Sequence, residues 1–168
     1  MNSGSQRSRG AVAVEFTIIV PLLVLLVFGI TELGRALYQL NTLTKATTSG
    51  ARFLARTDQA LVLDKANHTC SDGSAWTANN LLRAENLVLY GNEDGNGDML
   101  LPAMSVSFDY RHETLTGENS VETEGCVIIA ESEAVFTSVF GDEGPIIPFT
   151  DIDSFTMQQK VEERYIGE

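Results

Sequence analysis

The chain has 168 residues, with 11 Lys and Arg against 23 Asp and Glu, for a formal net charge of −12. That length holds one modest domain with at most an appendage, which excludes a multidomain machine. So acidic a balance also excludes ordinary nucleic-acid binding, where clustered Lys and Arg must meet phosphates.

The charge is unevenly placed. Residues 1–10 carry Arg7 and Arg9 and no acid, whereas residues 57–168 carry 21 acids and 5 bases. Between them, Phe16 to Thr31 holds no charge, and twelve of its sixteen residues are Val, Ile, Leu or Phe. Those side chains favour membrane insertion by about 5 kcal/mol. Extended back to Ala11 the run has 21 residues, about 31 Å of helix, which matches a hydrocarbon core of about 30 Å. The extension takes in Glu15, which costs roughly 2.5 kcal/mol if unpaired at mid-membrane and less at an interface. Pro21 removes one main-chain hydrogen bond and predicts a kink. Arg7 and Arg9 keep the N-terminus cytoplasmic and export the acidic remainder. Phe28-Gly29-Ile30-Thr31-Glu32-Leu33, just past the run, offers no small-x-small site for an ordinary signal peptidase.

A different processing signal stands before the run. Arg7-Ser8-Arg9-Gly10-Ala11-Val12-Ala13-Val14-Glu15-Phe16 is a short basic leader ending in Gly, then four small or apolar residues, Glu and an aromatic. This resembles the type IV prepilin signal, in which a membrane-embedded prepilin peptidase cuts after the Gly. The cut would fall between Gly10 and Ala11, with Glu15 fifth and Phe16 sixth in the mature chain. With Val20-Pro21-Leu22, Phe28 to Ala36 and the later Gly50-Ala51-Arg52-Phe53-Leu54-Ala55-Arg56, the first 56 residues resemble TadE-like pseudopilins of the tight-adherence (Tad) pilus system. Cleavage would put a positive amine on Ala11, one helical turn from Glu15 and on the same face. That carboxylate could neutralise its own amine or a neighbouring subunit's.

The resemblance implies a minor pilin or pseudopilin in the inner membrane, acting in assembly of a surface pilus for adhesion and biofilm. It also implies a prepilin peptidase, other pilins and minor pilins, and the Tad secretion platform as partners. The competing reading is a signal-anchored periplasmic binding or adaptor domain that stays in the inner membrane. An enzyme is not expected: His68 and His112 lie far apart in sequence, and there is no P-loop, dinucleotide loop or His-Glu-x-x-His. No cofactor is expected.

Beyond Thr31 the pattern stays helical. Ile30, Leu33, Leu37, Leu40, Thr44, Thr47, Ala51 and Leu54 form one stripe, and Ala36, Leu40, Leu43, Ala46, Gly50 and Phe53 a second beside it. The stripes should pack on the chain's own domain, Leu37 and Phe53 most of all, or on helices of other subunits. Glu32, Arg35, Gln39, Lys45 and Arg52 face elsewhere. Gly50 weakens the helix by about 1 kcal/mol, marking either close packing or fraying. The helix should end between Arg56 and Asn67.

The expected division is a leader over 1–10, a transmembrane helix over 11–31, its periplasmic continuation over 32–62 and an exported α+β head over 63–168. In the head, Asp72-Gly73-Ser74 reads as a loop and Thr77 to Leu87 as a helix with Leu81, Leu82 and Leu87 inward. Met104, Val106, Phe108 and Tyr110 alternate with polar residues in a strand. Ile128, Ala130, Ala134, Phe136 and Phe140 make a second, longer strand, and Phe155, Met157, Gln159 and Val161 a third. Gly144-Pro145 and Ile147-Pro148 break the chain between these two. A long helix followed by antiparallel strands is an α+β arrangement.

Cys70 and Cys126 are the two cysteines. In an oxidising periplasm they should form a disulfide, stabilising by about 4 kcal/mol through loop entropy. Asn92-Glu93-Asp94-Gly95-Asn96-Gly97-Asp98 places oxygens at Asn92, Asp94, Asn96 and Asp98, as calcium loops do. The bidentate acid such a loop needs at its twelfth position is replaced by Ala103, so a Gly/Asn turn is the preferred reading and no metal is expected.

Overall fold

The computed structural model describes residues 5–76, 78–116, 122–138 and 154–167. The elements in chain order are helix α1 (Ser5–Ala55), strands β1 (Leu61–Asp64) and β2 (Thr69–Asp72), helix α2 (Ala78–Tyr90), and strands β3 (Ser105–Thr116), β4 (Glu122–Val135) and β5 (Thr156–Arg164). This is the expected α+β class. Phe140, the Gly144-Pro145 and Ile147-Pro148 breaks and Thr77 lie outside the described residues.

The chain divides into two compact units, Met1–Tyr38 with Thr137–Ser154, and Gln39–Phe136 with Phe155–Glu168. In the first unit α1 runs unbroken through Pro21. Most of its apolar side chains are exposed: Phe16 is 65% exposed, Ile18 71% and Leu22 67%. The hydroxyls in this stretch are satisfied within the helix. Thr17 donates to the Ala13 carbonyl at 2.7 Å and Thr31 to that of Val27 at 2.9 Å. A helix facing hydrocarbon requires such internal pairing, because no water is there to take the hydrogen bonds. The next turns behave differently. Glu32 is buried and accepts the Ser138 hydroxyl at 3.1 Å, while Arg35 Nη2 donates to the Thr137 carbonyl at 3.2 Å. Residues expected merely to face away from the apolar stripes thus grip a returning segment of chain.

In the second unit, the C-terminal part of α1 is covered by the head. Leu43, Thr47, Ala51, Leu54 and Ala55 are buried. Leu37, expected to be buried by its place on the stripe, is 53% exposed, while Phe53 packs half-buried against the core. Periodicity identifies a helix face but not how far along the helix its cover extends.

Strands β3, β4 and β5 form an antiparallel sheet in that order, with β4 central. Along β4, Ile128, Ala130, Ser132 and Ala134 are buried and Glu131 and Glu133 exposed, the period of two of a half-buried strand. The inner face carries small residues where the helix crosses. Thr47 Oγ1 donates to the Leu43 carbonyl at 2.7 Å and also meets Ser132 Oγ. Its one proton being used, Ser132 must be the donor in that pair. On the open face, Lys160 pairs with Glu131 at 2.7 Å and Arg111 with Glu162 at 2.7 Å. Such exposed pairs contribute little, typically about 0–1 kcal/mol.

Helix α1 ends at Ala55, before the expected window, and residues 61–62, assigned to its continuation, open a strand instead. The stop is made from afar. The Ala55 carbonyl accepts N–H bonds from Ile166 at 3.0 Å and Gly167 at 3.2 Å, satisfying an acceptor that the helix end leaves open. Tyr165 Oη takes the Ala60 N–H at 3.0 Å and donates to the Thr57 carbonyl at 3.1 Å, clamping the turn in which Gln59 has φ 56°. Helix α2 turns Ala84 and Val88 fully inward, with Leu81 partly buried, whereas Leu82 is 54% exposed, contrary to expectation. Residues 81, 84 and 88 share a helical face, and 82 lies about 100° round from 81.

Candidate functional site

Three features carry chemistry. The first is the start of α1. Gly10, Glu15 and Phe16 are all exposed on a continuous helix that includes the Gly10–Ala11 bond. Gly10 does not interrupt the helix, and nothing lies within 4 Å of where a Cβ would be. Glu15 follows Ala11 by one turn, a rise of about 6 Å along the axis. The helix from Val12 onward is long and apolar enough to cross a membrane and, being the single such helix among the described residues, fits a single-pass anchor.

The second feature is the loop after α2. Asn92 lies across it, donating from Nδ2 to the carbonyls of Tyr90 at 3.2 Å and Asn96 at 2.7 Å, and accepting the Asn96 N–H at 3.0 Å. Its side-chain oxygen is thus committed to the main chain. Asp94, Asn96 and Asp98 are exposed. Gly91, Gly95 and Gly97 supply the left-handed conformations of the loop, with φ of 74°, 70° and 97°.

The third feature surrounds the disulfide. Cys70 and Cys126 form the expected disulfide, with Cα atoms 5.9 Å apart. It joins the β1–β2 hairpin to β4. Around it, His68, His112 and Glu124 come together, with one ligand-type atom from each lying within 4.8 Å of the others. His68 closes the hairpin turn at φ 51°, a left-handed position that His enters more readily than most residues. Asp64 organises that turn. Its Oδ1 accepts the N–H groups of Ala66 at 2.9 Å and Asn67 at 3.2 Å, and its Oδ2 accepts Asn67 Nδ2 at 2.7 Å. The Asn67 side-chain bond, then the Asn67 and Ala66 main-chain bonds, hold its carboxyl below the ordinary value of 3.8.

His112 on β3 stands opposite Cys126 on β4, and Glu124 precedes Cys126 by two, so all three share one sheet face. His68 Nδ1 lies 2.5 Å from Glu124 Oε1, and His112 Nε2 lies 3.8 Å from Glu124 Oε2. A signal was present in the sequence: His68 and Glu124 each stand two residues before a cysteine of the bridge. Beside the bridge a cleft of about 650 Å³ is lined by Leu61, Leu63, Glu124, Cys126 and Tyr165, among others. Nearby, Tyr110 packs edge-on against Trp76 with ring centroids 5.3 Å apart, and its hydroxyl bonds the Asp72 carboxylate, which raises its ionisation above the usual range.

Residues 10–52 match the family model described as TadE-like protein. That stretch runs from Gly10 through the exposed apolar helix to the buried turns that carry the head. No curated protein and no solved structure matches the chain.

Proposed function

We propose that this chain is a TadE-like minor pilin or pseudopilin, processed between Gly10 and Ala11 and acting in assembly of a Tad-type surface pilus. The observation that carries the reading is the coincidence of the family match over 10–52 with a helix whose apolar side chains are mostly exposed between Val12 and Leu37. The N-terminus stays in the cytoplasm, Ala11 to Thr31 sits in the inner membrane, and the acidic head lies in the periplasm until the subunit is used. The prepilin peptidase, other pilins and the Tad secretion platform are its partners, and the role is structural rather than enzymatic.

The geometry suits such a subunit. Ile30, Leu33 and Leu37 follow one helical stripe and are each more than half exposed, 63%, 61% and 53%. A helix of another subunit would cover them by ridge-and-groove packing. Glu15, once the amine of Ala11 exists, would have a partner for its charge within its own turn or on a neighbour. Because Gly10 sits inside a helix, the peptidase would have to unwind a turn locally to reach the bond. A residue without a Cβ lowers the cost of that step.

The test is genetic. Deletion should remove surface pili and adherence, and the wild-type chain should restore both, while Gly10→Val should not. If Gly10→Val restores pili as fully as wild type, the reading fails in favour of a signal-anchored adaptor that needs no processing.

A further inference from the structure

We propose that His68, His112 and Glu124 form a binding site for one divalent transition-metal ion of the zinc class, stapling the β1–β2 hairpin to strands β3 and β4. Two imidazoles and one carboxylate are a borderline-soft donor set, which suits Zn²⁺ and its neighbours and is wrong for Ca²⁺ or Mg²⁺, whose ligands are all oxygens.

The atoms are already close to a ligand cage. Zinc bonds of about 2.1 Å in a tetrahedron separate ligand atoms by roughly 3.4 Å. His112 Nε2 and Glu124 Oε2 stand 3.8 Å apart, within about half an ångström of that separation, and the three donors lie within 4.8 Å of one another. The 2.5 Å approach of His68 Nδ1 to Glu124 Oε1 is a hydrogen-bonding distance that would open by about 1 Å as the ion replaces the shared proton.

An ion triad held by protons alone leaves an imbalance. His112 Nε2 and Glu124 Oε2 are both buried and have no hydrogen-bond partner. They face each other at a distance too long for a hydrogen bond and too short to admit a water between them. Buried polar atoms in native structures are nearly always satisfied. One cation lying against both would use both lone pairs, and would add the third from His68.

The surroundings favour the ion. The disulfide fixes the hairpin beside β4 two residues from both His68 and Glu124, so the site is preorganised by a covalent bond. Residues 57–168 carry 21 acids and 5 bases, a field that concentrates cations. His68 is 65% exposed while His112 and Glu124 are 16% and 17% exposed, so the fourth position faces solvent, where water completes the sphere.

The experiment uses the untagged full chain in detergent micelles, stripped with EDTA and dialysed, then titrated with Zn²⁺ and separately with Co²⁺. Wild type should bind one ion per chain, unfold at a higher temperature with Zn²⁺ present, and develop the intense visible bands of four-coordinate Co²⁺. His68→Ala, at an exposed position, and His112→Ala should each lose about tenfold or more in affinity, since even outer-shell partners of a metal are worth that much. Both should also lose the cobalt bands. Circular dichroism of His68→Ala without metal should match wild type, which separates lost ligation from lost folding. Failure of wild type to bind one ion, or wild-type affinity retained in either variant, would overturn the site.

Discussion

Replacing Gly50 with Ala tests the helix–head packing at its closest point. In an exposed helix this change stabilises by about 1 kcal/mol, because Ala has the better helix propensity. Here the added Cβ would stand 2.9 Å from Phe108 Cζ, 3.0 Å from the Ala84 carbonyl oxygen and closer still to Val88 Cγ2. Ala84 and Val88 are fully buried, and the Ala84 oxygen belongs to the backbone of α2, so relief requires moving that helix. Overpacking of this kind costs about 1–3 kcal/mol, and the upper end applies where backbone is one of the obstacles. After the propensity gain, Gly50→Ala should destabilise the head by roughly 1–2 kcal/mol. For a domain near 100 residues that lowers Tm by about 5–15 °C. Thermal unfolding of the full chain in micelles, followed by circular dichroism, reads this directly. Gly34→Ala is the control, since nothing lies within 4 Å of its Cβ position, and it should be neutral or stabilising. A Gly50→Ala protein as stable as wild type would refute the packing argument and return Gly50 to the status of an ordinary weak point in a helix.

Three further outcomes follow from the same contacts. Thr47→Val leaves the buried Ser132 hydroxyl without its partner and should cost about 1–3 kcal/mol, whereas the Thr47→Val/Ser132→Ala double variant should recover most of that loss in a denaturant titration. Replacing both Cys70 and Cys126 by Ser opens a loop of 56 residues' separation and should cost about 4 kcal/mol, read as a lower denaturant midpoint than that of the oxidised protein. The Asp64 carboxyl ionises more readily in the folded hairpin than in the unfolded chain, so its contribution is fully present above the unfolded value near 3.8 and is lost as pH falls through the lower folded value. The protection factors of the Ala66 and Asn67 amides, relative to their intrinsic exchange rates, should therefore fall at the acid end in wild type, and Asp64→Ala should lose that pH dependence along with the protection.

Much of the architecture was legible because it repeats locally. The uncharged run from Phe16 and the alternation of Val106, Phe108 and Tyr110 with Ser105, Ser107 and Asp109 are properties of neighbours in the chain, and both elements are present. The β1–β2 hairpin was not legible. Leu61 to Asp64 is four residues long, and its partner Thr69-Cys70-Ser71-Asp72 has no apolar face, so neither strand has a period to detect. The hairpin stands instead on the disulfide and on Leu61 and Leu63 packing against the core. The end of α1 was misplaced for a related reason. Leu61 lies seven residues after Leu54 and so extends the apolar stripe on paper, while the residues that stop the helix, Tyr165, Ile166 and Gly167, come from the other end of the chain. The His68–Glu124–His112 cluster combines both difficulties, since β3 must register on β4 and the β1–β2 turn must form before its residues meet.

The proposed role as a pilus subunit requires that the chain be cut between Gly10 and Ala11. Intact-mass and N-terminal peptide spectrometry of the protein extracted from membranes of cells containing the peptidase tests it most directly. A mature chain beginning at Ala11, replaced by the full-length species in Gly10→Val or in cells without the peptidase, is the predicted result; a chain still beginning at Met1 or Asn2 in peptidase-containing cells would contradict it.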